Sequence, residues 1–578
     1  MINRRELVRA VAVAATLSAL WIGFNANKPI HTDDPFFLYW ARVISPLPGD
    51  QPVKYFNWLR YEEPMAEETQ HASPGWAVSL AGVRHLAGER IQVLHWLQWP
   101  FATMLLSGVF LLARILGAPA WASLFVCGSS PFFLVSTSGN LGDIPAMGLG
   151  ILGLAAWYSV PSLAGRIMAA ILIGLAAQMK VSILVLYPLL LLKTEGGINR
   201  SRRDWILVFL SLLFAGTYPA VPPNSPNRDF IVGNLAWIFQ TTWNPGLLFM
   251  KMSYLSAACG TLIVPAFCYA ISLFARNDLA KTSDRVKILL LGIFSIPLLS
   301  FAGFWKGQTG AGGFWQLDSG AGAHLDVVPP TLNTLGFYLA IALFLGWVLT
   351  TYRNRKEGPA RWLFAWILFA SAGFVGATWF PAVRHLLPVL PALAMLFLMD
   401  LKATCGKTTW RIAVILAVAG NLWLGLSLSR NDTAFARFSV DAAVRGGKEA
   451  VSRNLPLLTT GSWGLRYYVE REGGRILYSP SEILPQGAVM LIPTLTDRRV
   501  LPAALRKRSQ VIWKMSCPPS AKWPLMLPAQ PIPPTVTLSA WHGGYVWFPF
   551  AFNRAPTETI TALEIFPLKG GKENRGEK

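Results

Sequence analysis

Apolar residues in this chain arrive in blocks of about 17 to 22, a length that leaves few folding options. As α-helix, such a block spans the roughly 30 Å hydrocarbon core of a bilayer. In lipid every backbone polar group must be satisfied within its own segment, so blocks of this length fold as helices. Candidate spans cover 7–24, 91–116, 119–137, 144–160, 167–179, 181–192, 205–221, 253–274, 286–304, 332–352, 362–380, 385–400 and 411–428. The expected fold class is mostly α, a polytopic transmembrane helical bundle of about 13 spans, followed by a small α/β domain. The segments 167–179 and 181–192 are short for full crossings and read as a tight pair or a re-entrant hairpin. Either way the later topology keeps its parity. The block at 7–24 is long for a signal-peptide core, and Asn25-Ala26-Asn27-Lys28 lacks a small-x-small cleavage site, so it reads as an uncleaved first helix.

A formal net charge of +21 would suggest an anionic partner, but the charges are placed for another purpose. Basic residues gather in alternate short connections. They include Arg4, Arg5 and Arg9; Arg200, Arg202 and Arg203; Arg276, Lys281 and Arg285; Arg353, Arg355 and Lys356; and Lys402, Lys407 and Arg411. That is the positive-inside pattern. It predicts a multi-pass membrane protein with its N-terminus cytoplasmic and its C-terminal domain extracytoplasmic. No aromatic-basic RNA motif or zinc-finger spacing accompanies the charge, so nucleic acid is not an expected partner. The five cysteines lie in or beside apolar spans, apart from Cys517, and form no disulfide framework.

The expected organisation is a membrane domain over 1–429, an extracytoplasmic α/β domain over 430–568 and a disordered tail over 569–578. Long loops in a compact protein usually carry function. Those predicted outside are 25–90, 222–252 and 305–331. The last holds Gly307-Gln308-Thr309-Gly310-Ala311-Gly312-Gly313, which lacks the Lys-Ser/Thr ending of a phosphate loop and reads as a flexible flap. In the C-terminal domain, 441–455 reads as an amphipathic helix, and 466–469, 489–492, 511–515 and 545–552 read as short strands.

The strongest chemical signal is His31-Thr32-Asp33-Asp34, just beyond the first span. Ionisable groups close to a bilayer core are costly to bury and are functional candidates for that reason. The bland reading makes one of the two aspartates a helix N-cap. Asn140-Leu141-Gly142-Asp143 occupies the next outer turn, so two acidic turns face one compartment and could meet over one cleft.

At this point the chain resembles the GT-C membrane glycosyltransferases, the broad group of protein O-mannosyltransferases, aminoarabinose transferases and related bacterial enzymes. Five features occur in the family's order. The first helix leads into Asp33-Asp34, where the family usually has Asp-Glu. His71-Ala72-Ser73-Pro74-Gly75-Trp76 stands for its His-Pro-Pro-like element. Asp143 is the second-loop acid, followed by Pro145-Ala146. Gly174-Leu175-Ala176 with Lys180 matches a Gly-Leu-Ala…Lys stretch. Arg384-His385-Leu386-Leu387-Pro388-Val389-Leu390-Pro391 is similar to its late Arg…Pro…Pro helix. The likeness covers about 1–429, and Gly461-Ser462-Trp463-Gly464-Leu465-Arg466-Tyr467-Tyr468 resembles a segment in some members' outer domains. Ala72-Ser73 and Asp34 depart from the family pattern.

The resemblance implies transfer of a sugar from a polyprenyl phosphate to an acceptor hydroxyl of a glycan, lipid or protein, with inversion. In that scheme Asp33 is the general base, while Asp34 and Asp143 orient it, bind acceptor hydroxyls or hold a divalent metal ion if one is used. Arg384, Lys180 and His385 would bind the donor phosphate, and His71 would order the first loop. Lys180 reads equally as a snorkelling lysine. Trp58, Trp76, Trp237, Trp243, Trp305 and Trp315 would stack on sugars or form an interfacial belt. A secondary transporter fits less well, since the two halves show no repeat and the mid-span regions carry almost no charge. An O-antigen ligase or polymerase would place its key residues in a late loop.

Overall fold

The computed structural model describes residues 3–31, 34–48, 50, 55–56, 63–64, 73–192, 201–216, 358–377, 383–404, 406–461, 463–477, 484, 486–493, 503–517 and 559–567. Asp33, His71, the glycine run at 307–313, the spans expected at 253–274, 286–304 and 332–352, the strand expected at 545–552 and the tail 569–578 lie outside them.

The first helix, α1 (Arg4–Asn25), is N-capped by Asn3, whose side chain accepts the Arg5 N–H at 2.9 Å. The helix α2 (Asp34–Ile44) follows, then a strand pair β1 (Tyr55–Phe56) and β2 (Glu63–Pro64), and α3 (Gly75–Ala87). Next come α4 (Ile91–Trp96) and α5 (Gln98–Ile115), which read as one membrane-length run. The span expected at 119–137 is divided into α6 (Ala120–Ser129) and α7 (Pro131–Ser136). Pro131 forces Ser130 out of helical geometry (φ −60°, ψ 137°), and Ser130 then caps the second piece through the Phe132 N–H. After α8 (Asp143–Ser159) and α9 (Leu163–Met179), the segment expected at 181–192 is a 3₁₀ turn (Val181–Leu186) leading into the short α10 (Tyr187–Leu191). Further along, the described residues form α11 (Arg202–Gly216), α12 (Gly358–Ala377), a 3₁₀ turn (Val383–Leu386), α13 (Leu390–Thr404) and α14 (Lys407–Arg453).

Among the described residues, α1, the α4–α5 run and α14 are long and apolar enough to cross a membrane. Large apolar side chains stand on their outer faces and on α11, including Val8, Leu20, Phe209 and Ile415. Facing water, such surfaces would aggregate, whereas facing hydrocarbon they are at rest. The chain is an integral membrane protein. Its helices approach closely where glycine permits, as small residues do between membrane helices. A Cβ on Gly148 of α8 would lie 2.2 Å from the Phe101 carbonyl of α5, and one on Gly108 of α5 would lie 2.9 Å from the Leu152 nitrogen of α8.

The C-terminal region departs from expectation in two places. The span at 411–428 and the amphipathic helix at 441–455 are one helix of 47 residues, α14. The polar stretch Ser429-Arg430-Asn431-Asp432 looks like a break, yet it holds no proline, and its Ser429 and Asp432 find partners on other segments. The helix ends at Asn454, which adopts left-handed backbone (φ 53°). The other departure is at 466–469, which is helix rather than strand. It belongs to α15 (Trp463–Arg471), between β3 (Leu457–Thr459) and β4 (Arg475–Ile476). These two strands are parallel, so the chain between them must cross back, and that topology overrides the strand preference of Tyr467-Tyr468-Val469. The sheet is completed by β5 (Ala488–Pro493), β6 (Ser509–Ser516) and β7 (Thr559–Ile565), with α16 (Ala503–Lys507) before β6. Its order is β4-β3-β5-β7-β6, and β7 pairs antiparallel with both neighbours.

Candidate active site

The two acidic turns meet. Asp34 opens α2 and is only 2% exposed. Its Oδ1 accepts the Asn140 N–H at 2.7 Å, and its Oδ2 accepts the His31 N–H at 3.2 Å. The first of these bonds ties the turn after α1 to the turn before α8. Around that junction the backbone is tightly held. The Trp76 indole donates to the Asn140 carbonyl at 2.6 Å, and the Gln98 amide donates to the carbonyls of Gly139 and Leu141 at 3.2 and 3.0 Å. Gly142 has no room for a side chain, because a Cβ there would sit 2.6 Å from the Met179 carbonyl. Trp76 is fully buried, so it is neither a sugar-stacking platform nor a belt residue. The other tryptophans singled out above, Trp58, Trp237, Trp243, Trp305 and Trp315, lie outside the described residues.

Asp143 is the first residue of α8, almost fully buried, and its carboxylate ion-pairs with the Lys180 ammonium. Lys180 follows α9 in extended backbone, and the next amide, Val181 N–H, donates to Ser73 Oγ at 2.9 Å. Gly75 packs so closely on the end of α9 that a Cβ would meet the Gln178 carbonyl at 2.7 Å. Ser73-Pro74-Gly75-Trp76, Asn140-Leu141-Gly142-Asp143 and Lys180 are therefore one assembly. Arg384 and His385 lie on the 3₁₀ turn Val383–Leu386, packed beside α7, which leads into the second acidic turn. Arg384 Nε donates to His385 Nε2 at 3.5 Å. Asp33, which stands beside Asp34 in the sequence, lies outside the described residues.

Asp34 and Asp143, the acids expected to hold a divalent ion if one is used, already have other partners. Each is engaged by donors, backbone amides for one and an ammonium for the other. Among the described residues no three His, Cys, Asp or Glu side chains gather as ligands.

Sequence reasoning missed a buried polar layer behind these turns. The Lys28 ammonium ion-pairs with Asp432 of α14 and donates to Ser138 Oγ at 3.2 Å. His95 Nε2 lies 2.9 Å from the Lys28 carbonyl, and Ser429 Oγ donates to Asn25 Oδ1 at 2.5 Å. The His31 ring stands edge-on to Phe435, with Nε2 3.6 Å from Asp432. Burial, and then the Lys28 charge, hold its imidazole well below the ordinary histidine range. Lys28 and Asp432 carried a signal, since both are charged residues at the edge of apolar spans.

The chain matches no family model. No curated protein matches it either. Among solved structures it is similar to ArnT from Cupriavidus metallidurans bound to undecaprenyl phosphate, over 97% of this chain and 98% of that one, at 12% identity and a TM-score of 0.41. It is also similar to ArnT from the same organism in the apo state, over 84% and 92% of the two chains at 14% identity and a TM-score of 0.41. A third likeness is to the Archaeoglobus fulgidus oligosaccharyltransferase in complex with zinc and sulfate, over 81% of this chain and 62% of that one, again at 14% identity and 0.41. At this level the likeness carries no correspondence between individual residues.

A second network joins the loop helices to the C-terminal domain. Glu89 accepts from Arg42 at 2.8 and 3.2 Å, from Arg84 at 2.9 Å and from the Tyr467 hydroxyl of α15 at 2.8 Å. Arg84 also grips Asp50, and the Tyr39 hydroxyl donates to Glu470 at 2.5 Å. Burial alone would raise the Glu89 carboxyl, but the hydrogen bonds and charge of Arg42, with Tyr467 and Arg84, hold it below its usual value. A carboxylate depressed in the folded state contributes stability above its unfolded pKa of about 4.3 and loses it as pH falls through the lower, folded value. The purified protein should therefore lose thermal stability on acidification below about pH 4.5 more steeply than a Glu89→Gln variant does. Parallel melting curves for the two proteins would remove Glu89 from this role.

Proposed function

We propose that this chain is a membrane glycosyltransferase of the GT-C type, moving a sugar from a polyprenyl phosphate to an acceptor hydroxyl on the extracytoplasmic side of the membrane. The observation that carries this reading is the hydrogen bond from the Asn140 N–H to Asp34 Oδ1, which brings both acidic turns to one place. Such a pairing of the first and second acidic loops is what the motif order in the sequence leads one to expect.

An acceptor hydroxyl is a poor nucleophile, and a carboxylate that removes its proton in the transition state lowers the barrier. Asp33 is the base in this scheme. Both oxygens of Asp34 are occupied by backbone amides, which suits it to fixing the turn and leaves Asp33 to meet substrate. The acceptor oxygen bonds to the anomeric carbon from the face opposite the phosphate as the carbon–phosphate-oxygen bond breaks. The proton passes to Asp33, and the bond's electron pair leaves on the polyprenyl phosphate, so the configuration inverts. Arg384 stabilises the phosphate's growing charge, with His385 beside it. Lys180 contributes a cation whose charge is partly spent on Asp143. His71 orders the first loop. No step is assigned to a metal ion.

Membranes containing the protein should transfer radiolabelled sugar from at least one member of a panel of polyprenyl-phosphate donors into envelope glycan, lipid or protein. Absence of transfer from every donor, with the protein present and inserted, overturns the reading.

A further inference from the structure

The geometry points to a catalytic duty for the C-terminal domain: its helix α15 is the back wall against which the acidic turn is seated, and Gly464 and Tyr468 are positioning residues for that turn at Ile30, His31 and Asp34. This rests on the glycosyltransferase reading for its chemistry, but not for its structural content.

Three contacts carry it. The Ile30 N–H donates to the Tyr468 hydroxyl oxygen at 2.8 Å, so the turn's first buried amide is satisfied from the domain and not from the membrane helices. Gly464, one helical turn earlier, lies directly on the turn's backbone. A Cβ there would be 2.8 Å from the Ile30 carbonyl oxygen and 3.4 Å from the His31 Cα. Neither is the movable end of a side chain, so any residue larger than glycine must push the turn away or lift the helix. The same turn is held on its far side by the His31 N–H to Asp34 Oδ2 bond and by Asn140. Ile30, His31 and Asp34 are thus clamped between the turn before α8 and helix α15.

Helix α15 is itself held from two directions, which gives the wall its stiffness. Behind it, Leu465 and Val469 are buried in the apolar cluster formed with α14 and β5. Beside the turn, Tyr467 donates to Glu89, Glu470 accepts from Tyr39, and Arg466 bonds to Glu470 at 2.8 Å. A displacement of about 1 Å in a catalytic carboxylate lowers turnover by about 100-fold while leaving a substrate's remote contacts in place. The domain therefore acts on kcat through the position of the acidic turn, without touching donor or acceptor through these two residues.

The test compares wild type with Gly464→Ala, Tyr468→Phe and the control Gly82→Ala, whose Cβ would meet nothing within 4 Å. Two quantities are read on the full-length detergent-solubilised protein. One is hydrogen–deuterium exchange of the peptide covering residues 28–36. The other is the kcat and donor KM of transfer. Gly464→Ala should lower kcat by about 100-fold with donor KM changed less than about twofold. Tyr468→Phe keeps the ring and removes only the acceptor, so it should speed exchange at Ile30 by about tenfold and lower kcat by a similar factor. Gly82→Ala should match wild type in both. Should Gly464→Ala fail to fold, Tyr468→Phe decides. Wild-type exchange across 28–36 in folded variants overturns the inference, as does a loss that falls on KM and spares kcat. Because exchange is read without substrate, a loosened turn in a protein that uses no donor would refute the transferase reading and leave the clamp standing.

Discussion

Asp33→Asn should leave the protein inserted and folded while lowering sugar transfer by about 10²- to 10⁴-fold, the range that a general base supplies. Asparagine has the shape of aspartate but its amide takes up no proton at neutral pH. The acceptor hydroxyl would then have to attack while still carrying its proton. The turn itself should survive, because its anchors belong to neighbours: Asp34 on Asn140, Ile30 on Tyr468 and His31 on Asp34. Donor KM should hold, since the phosphate is assigned to Arg384 and its surroundings. The measurement is transfer by equal amounts of wild-type and variant protein with whichever donor the panel identifies. Wild-type rates from a well-expressed Asp33→Asn protein would remove the base from Asp33 and return the acidic pair to a structural role.

The largest stability effect should come from a different pair of charges. Asp432→Ala strands the Lys28 ammonium in a site where it is 2% exposed and keeps, among the described residues, Ser138 at 3.2 Å. Removing one partner of a buried ion pair typically costs about 3–5 kcal/mol, because the other charge stays desolvated and unpaired. Lys28→Met should cost a comparable amount for the mirror reason. The double variant Lys28→Met/Asp432→Leu removes both charges and should recover most of the loss, since well-packed apolar replacements of such pairs are often neutral. Thermal unfolding of the purified proteins reads all three. A double variant as unstable as the worse single one would show that the loss comes from damaged packing around α14 and not from a stranded charge.

The contrast between those two sites explains what could be read from the sequence. Apolar runs that must satisfy their own backbone in lipid predict helices over α1, α5, α8 and α14, and the helices stand close to where the runs lie. The acidic turns were legible because carboxylates beside apolar spans are conspicuous. The pairing of Asp432 with Lys28 was not, although each charge stands at the edge of an apolar span, because the two are 404 residues apart and nothing in either local stretch names the other. Lys180 had two local readings, and only the fold selects Asp143 as its partner. The segment 466–469 was misread for a related reason: Tyr467-Tyr468-Val469 favours a strand by itself, but two parallel strands on either side require a crossover. Ser130 carried its signal in plain view as the residue before Pro131, and the division of that span follows from it.

The unbroken helix α14 has a mechanical corollary. At about 100° of rotation per residue, adding or deleting one residue in α14 before Asp432 would swing Asp432 and Phe435 away from Lys28 and His31. Loops elsewhere in such a chain tolerate changes in length, whereas this helix would tolerate them only in steps that restore its angular phase. Relatives of this protein that keep the buried pair should therefore differ in the length of α14 by about whole turns, or not at all.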